Sequence, residues 1–207
     1  MIERAFSVGD QATTARVYPA PKPMTRDRTL VLGHGAGAGQ THPFMVAFAE
    51  AVAARGIDVV TFDFLYVAAG RRAPDRNDKL EACWRAAIEV ARAEWSGRVP
   101  FIGGKSMGGR IASHLAAAGE GGAGLVCLGY PLHPPKQPEK LRNAHLPKLA
   151  NVPTLVLQGK RDPFGTPEEL RAHFPASAEI VALPGGHSFD EKAWPEAHAR
   201  VADFILR

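Results

Sequence analysis

The serine in Gly104-Lys105-Ser106-Met107-Gly108 is the residue of this 207-residue chain whose surroundings most directly suggest chemistry. A serine hydroxyl is a weak nucleophile until the chain holds it out where a base can reach it. Before it, Val99-Pro-Phe-Ile is an apolar, strand-like run; after it, Gly109 to Leu115 reads as an amphipathic, Ala-rich helix. Small residues two before and two after the serine let strand and helix approach closely around a tight turn. Such a turn lifts Ser106 Oγ outward and sets the Met107 N–H at the positive end of the new helix, a place for an oxyanion. Gly104-Lys105-Ser106 also has the ending of a phosphate-binding loop, but that motif requires glycine where this chain has Val99.

Partners of a serine on a G-x-S-x-G turn follow it in the order Asp or Glu, then His. The apolar run Thr154–Leu157 leads through Gln158-Gly-Lys-Arg to Asp162, and Ile180–Leu183 leads through Pro-Gly-Gly to His187. Taken singly, Asp162 reads as an Asp-Pro turn residue and His187 as a solvated loop histidine. Three such residues in order, each just past a strand, read as a Ser106, Asp162, His187 triad. Asp190 follows the histidine and reads instead as a cap for the last helix. Upstream, His34-Gly35-Ala36-Gly37 resembles a loop that supplies a second oxyanion donor, with the Ala36 N–H in that role. Gly33 to Ala38 also fits the dinucleotide pattern G-x-G-x-x-A. A dinucleotide site opens its helix inside the glycine run, whereas Gln40-Thr41-His42-Pro43 delays it.

To bring these residues together the chain needs parallel strands ending at one sheet edge. Short apolar runs at Ala5–Val8, Ala15–Tyr18, Thr29–Leu32, Asp58–Phe62, Val99–Ile102, Gly124–Leu128, Thr154–Leu157 and Ile180–Leu183 predict strands. Helices are expected at Phe44–Arg55, Arg76–Trp95, Ser106–Ala118, Pro167–His173 and Glu191–Leu206, the fourth with Thr166 and Glu169 as a capping box. No helix separates the first two strands, which predicts an antiparallel hairpin at one edge. The rest predicts an α/β fold with a mostly parallel sheet and helices on both faces, in one domain over residues 1–207. Between the sixth and seventh strands lies only Gly129–Pro153, rich in Pro and Lys, with at most a short helix near Glu139–Asn143. A minimal or absent lid and a shallow, open site follow.

The chain is 45% hydrophobic and 22% charged, as in ordinary globular proteins. Its formal charge of +4 comes from scattered Lys and Arg, so nucleic acid is not an expected partner. Met1 to Asp10 carries charges and no apolar h-region, which gives no sign of a secretory signal or a membrane partner and makes the cytoplasm the default compartment. Cys83 and Cys127 sit in apolar elements and read as buried, reduced thiols. His114, His173 and His198 fall on helices as packing or surface residues, and no cluster has metal-ligand spacing, so neither metal nor cofactor is expected.

Together these motifs resemble the α/β-hydrolase superfamily, near its dienelactone-hydrolase-like branch. The chain is especially similar to a compact bacterial branch shared with testis-expressed and non-specific-lethal-complex proteins of animals. Besides the turn and the His34 loop, Phe62-Asp-Phe-Leu-Tyr, Gly70-Arg-Arg-Ala-Pro-Asp, Arg161-Asp-Pro-Phe-Gly and Gly185-Gly-His-Ser-Phe carry the likeness, which spans nearly the whole chain. It implies a cofactor-free Ser-Asp-His hydrolase, and the motifs themselves lead to acyl transfer to water from a small ester or thioester. Dienelactone hydrolases proper have a Cys nucleophile where this chain has Ser106. A non-catalytic interaction module on the same fold is the alternative. Four further residues are candidates for substrate contact: His34, Lys105 beside the nucleophile, and Arg71 and Arg72, whose guanidinium groups would suit a carboxylate or phosphate.

Overall fold

A computed structural model describes residues 1–24 and 26–207. The chain runs through β1 (Ile2–Val8), β2 (Gln11–Tyr18), β3 (Arg28–Gly33), α1 (Pro43–Ala53), β4 (Ile57–Phe62), α2 (Leu65–Ala68) and α3 (Asn77–Glu94). It continues through β5 (Phe101–Lys105), α4 (Met107–Ala117), β6 (Leu125–Leu128), β7 (Thr154–Gly159), α5 (Pro167–His173), β8 (Glu179–Leu183) and α6 (Trp194–Leu206). The strands form one eight-stranded sheet in the order β1-β2-β4-β3-β5-β6-β7-β8. As expected, β1 and β2 pair antiparallel at one edge, and from β4 through β8 every pairing is parallel. The strands from β3 to β8 therefore all end at the same edge, which is where the chemistry-bearing residues emerge.

Alternation along the buried strands feeds two cores, one on each face. Leu30, Leu32, Val59 and Leu155 point toward Phe48 and Val52 of α1 and Val201 and Ile205 of α6. Val31, Val60, Ile102 and Val156 point the other way, toward Leu80, Trp84 and Ile88 of α3 and Ile111 and Leu115 of α4. Each such large apolar side chain contributes about 1.5–3 kcal/mol on burial. The capping box before α5 forms as read: Glu169 N–H donates to Thr166 Oγ1 (3.3 Å) and Thr166 N–H to Glu169 Oε2 (2.7 Å).

Several expectations shift. β5 starts after the exposed Val99 and runs on through Gly103 and Gly104, because pairing with β3 and β6 leaves no room there for side chains. α2 has only four residues, too few for a helical period to be visible. No helix forms at 139–143. A 3₁₀ turn at Leu146–Leu149 replaces it, drawn in by the burial of both leucines. Asp190 precedes a 3₁₀ turn at Glu191–Ala193, but its side chain caps nothing. Its N–H donates to Pro184 O instead, and its carboxylate lies 3.8 Å from Arg161. Among the described residues no helix is long and apolar enough to cross a membrane.

Candidate active site

β5 delivers Ser106 into α4 through a backbone turn that residue types other than glycine seldom adopt. Ser106 has φ 52° and ψ −116°. Holding it there costs about 1–3 kcal/mol, which the surrounding structure must over-determine. The glycines on either side explain how: a Cβ on Gly104 or on Gly108 would overlap the Gly33 carbonyl oxygen at the end of β3. Ser106 N–H donates to Leu128 O (3.0 Å), which ties the turn to the end of β6. The serine sits at the N-cap of α4 without using its side chain as a cap, so Oγ is left for other work.

His187 and Asp162 meet at the ends of β8 and β7. The Nδ1 of His187 lies 2.8 Å from Asp162 Oδ2, and Asp162 is almost fully buried. As an ionised carboxylate only accepts, Nδ1 carries the proton and the neutral ring presents Nε2 as an acceptor. Asp162 is itself held: Oδ2 also accepts from Gln158 Nε2 (2.8 Å) and Oδ1 from Phe164 N–H (2.9 Å). The Phe164 ring lies against the imidazole at 4.4 Å. Lys105, buried beneath the turn, donates from Nζ to His187 O at 2.7 Å. Burial pushes its pKa down to about 8, with Asp162's charge opposing the shift. Ser106 Oγ makes no hydrogen bond to His187 among the described residues, a bond that in such sites often tightens only in the Michaelis complex.

Ser106, His187, Lys105, Ala36 and Met107 line one cavity of about 580 Å³. The 129–153 connection contributes Pro131 and Arg142 to its lining although it contains no lid helix, and the cavity stays open to solvent. Neither the Ala36 N–H nor the Met107 N–H has a hydrogen-bond partner among the described residues. The loop bearing Ala36 is braced from the β4–α2 corner. Tyr66 OH donates to Ala36 O (3.0 Å), and Gln40 donates to Asp63 from its backbone (2.7 Å) and its Nε2 (3.2 Å).

The remaining candidates fall elsewhere. His34 is fully buried and does not reach the cavity: Nδ1 donates to Gly35 O (2.7 Å) and Nε2 accepts from Phe64 N–H (3.1 Å). Burial lowers its pKa, so it serves the loop as a neutral brace and the expectation of substrate contact is corrected. Arg71 is paired with Asp75 (2.7 Å) and Arg72 is exposed; neither lines the cavity, to which the same stretch contributes Pro74 and Asp75 instead. Lys105 lines it, but its ammonium is committed to His187 O. Arg110, Arg142 and the bracing Gln158, Asp63 and Tyr66 escaped the sequence reading. Arg110 was findable, being four residues past Ser106 on the same helix face, and so was Gln158, a polar residue in a buried apolar strand. Nothing in the irregular stretch around Arg142 marks it. Among the described residues no group of three or more His, Cys, Asp or Glu side chains converges to hold a metal ion.

A family model described as an alpha/beta hydrolase domain matches residues 26–200, most of the chain. This protein belongs to that family. Solved members of the fold superpose over almost the full length of both partners. An alpha-beta serine hydrolase homologue from Coxiella burnetii is 18% identical with a TM-score of 0.79, over 98% of this chain and 96% of the other. A dienelactone hydrolase from Anabaena variabilis is 21% identical with a TM-score of 0.77, over 99% and 95%. A serine hydrolase without lid from Xanthomonas campestris is 20% identical with a TM-score of 0.76, over 98% and 93%. At these identities the likeness is one of fold: this hydrolase-family chain has their sheet, and its 129–153 connection likewise contains no lid helix.

Proposed function

We propose that this protein is a serine hydrolase cleaving a carboxylic ester or thioester of a small substrate through an acyl-enzyme. The observation that carries the reading is a buried Asp162 bonded to His187 Nδ1 beside a strained serine on the same cavity. Ser106 Oγ attacks the carbonyl carbon while His187 Nε2 takes its proton. The Met107 and Ala36 N–H groups receive the oxyanion, each such donor being worth about 3–4 kcal/mol. Collapse of the tetrahedral intermediate breaks the bond to the leaving alcohol or thiol, which takes the proton from His187. Water, deprotonated by the same nitrogen, then frees the acid and restores the serine. Asp162 holds the tautomer and supports the transient imidazolium. The structural neighbours, serine hydrolases and a dienelactone hydrolase, point the same way.

A fluorophosphonate probe tests the reading. The native protein is expected to be labelled and Ser106→Ala to be blank. A folded native protein that resists labelling would favour the non-catalytic module.

A further inference from the structure

We propose that the cavity beside Ser106 takes an anionic substrate, gripping a carboxylate or phosphate a few bonds from the scissile carbonyl between the guanidinium groups of Arg110 and Arg142. The inference rests on the proposed role of Ser106 and names the substrate class of that site.

Both arginines line the cavity with Ser106, and among the described residues neither has a carboxylate partner. Elsewhere on the molecule arginines do find acids: Arg98 bonds Asp58, Arg85 bonds Glu120 and Arg207 bonds Glu179. Arg110 rises from the first turn of α4, its N–H donating to Ser106 O at 3.0 Å. Its guanidinium touches only neutral acceptors, His114 Nε2 (3.4 Å) and Asn77 Oδ1 (3.2 Å). The nearby Glu81 is engaged by His114 Nδ1 at 3.0 Å. Burial lowers the Arg110 pKa and the charge of Arg142 lowers it further. Arg142 has its root fixed, because its N–H donates to Leu132 O (2.7 Å) and its carbonyl accepts from Tyr130 OH (2.9 Å). Its side chain makes no hydrogen bond or ion pair among the described residues.

Two like charges, partly stripped of water beside one cavity, are costly unless an anion completes them. Among the described residues the one carboxylate lining the cavity, Asp75, bonds neither arginine: Oδ1 is taken by Arg71 (2.7 Å) and Lys79 (3.9 Å), and Oδ2 is buried without a hydrogen-bond partner. Paired guanidinium forks match the geometry of a carboxylate or a phosphate, and each retains unused N–H donors.

Nitrophenolate release from mono-4-nitrophenyl adipate is to be compared with release from its methyl ester, a neutral analogue of the same length. The native enzyme is expected to favour the anion by about 10- to 100-fold in kcat/KM, as suits charged hydrogen bonds, with the preference shrinking as salt rises. Arg110→Gln and Arg142→Gln should each cut that ratio by about tenfold, chiefly through KM, whereas Arg72→Gln should leave it intact. Arg142 holds no other residue with its side chain, so its variant keeps the test valid if Arg110→Gln misfolds. Equal use of both esters by the native enzyme, or a ratio untouched by Arg142→Gln, would overturn the proposal. If neither ester is cleaved, the hydrolase reading has failed separately. Calorimetry of adipate with Ser106→Ala then decides: binding lost on adding Arg142→Gln supports the anion site, and no binding at all overturns it.

Discussion

Two serine–histidine pairs flank the first turns of α4, and the closer of them is not the proposed catalytic one. Ser113 Oγ lies 2.7 Å from His145 Nε2, a direct hydrogen bond that Ser106 and His187 lack. Yet Ser113 is fully buried inside the helix, and its hydroxyl proton goes to Arg110 O at 2.6 Å. His145 must therefore donate to the serine and cannot take a proton from it. No carboxylate bonds His145 among the described residues, and burial with the charges of His114, Arg110 and Lys148 pushes its pKa down to about 4. Proximity is thus not what distinguishes the proposed nucleophile. A turn that presents the hydroxyl to a cavity, a buried acid behind the imidazole and unpaired N–H donors are what set Ser106 apart.

If that contrast is right, Ser106→Ala should lower kcat/KM for a short 4-nitrophenyl ester by about 10⁴-fold or more, while Ser113→Ala should stay within about threefold of native, as for a residue outside the site. Asp162→Asn should cost about 10³- to 10⁴-fold by favouring the wrong tautomer. Comparable losses from Ser113→Ala in a folded protein would erase the distinction.

His187 also has a buried cation bonded to its backbone carbonyl. Lys105 has a folded-state pKa of about 8 against its usual 10.5. Between those values the unfolded chain binds more protons, so this group makes stability rise with pH across that window, and below it the cost of burying the charge is fully present. The native protein should gain up to about 3 kcal/mol relative to Lys105→Met between pH 8 and 10.5. Parallel urea titrations of the two proteins check this, and a constant difference would show that the ammonium is better solvated than its burial implies.

A smaller effect is expected where the oxyanion loop is braced. Tyr66→Phe removes only the hydroxyl bonded to Ala36 O. A loss of about 0.5–1.5 kcal/mol of transition-state stabilisation follows, at most about tenfold in kcat with KM little changed. Stopped-flow or steady-state assays on one ester separate the two parameters, and a pure KM effect would mean that the loop binds substrate instead of the oxyanion.

The elements that position the site were legible because their cues are local. A glycine pair around Ser106, apolar runs ending at Asp162 and His187, and Pro43 at the start of α1 each depend on neighbours in sequence. What escaped depends on contacts across the sheet edge. His34 sits in the right loop but its ring turns inward to Phe64, a contact made only when β3 and β4 lie side by side. Arg71 and Arg72 lie in a loop that leaves a strand at the correct edge, but Arg71 pairs with Asp75 and it is Pro74 and Asp75 that reach the cavity. Sequence shows which edge a loop leaves, not which of its side chains turn toward the site. Arg142 is reached through 3D anchoring at Leu132 and Tyr130, with no periodic pattern to announce it.

The irregular connection between β6 and β7 divides labour along the chain. Ser106, Asp162 and His187 stand just past strand ends, whereas part of the cavity lining belongs to a segment whose outer part, residues 135–140, is mostly exposed and free of helix or strand. Lengthening such a loop is cheap, about 0.6 kcal/mol for each doubling. Insertions there would reshape the mouth of the cavity without moving Ser106 or His187. The segment is accordingly a site of evolvability: selectivity can drift, or a lid be acquired, while the chemistry is inherited unchanged.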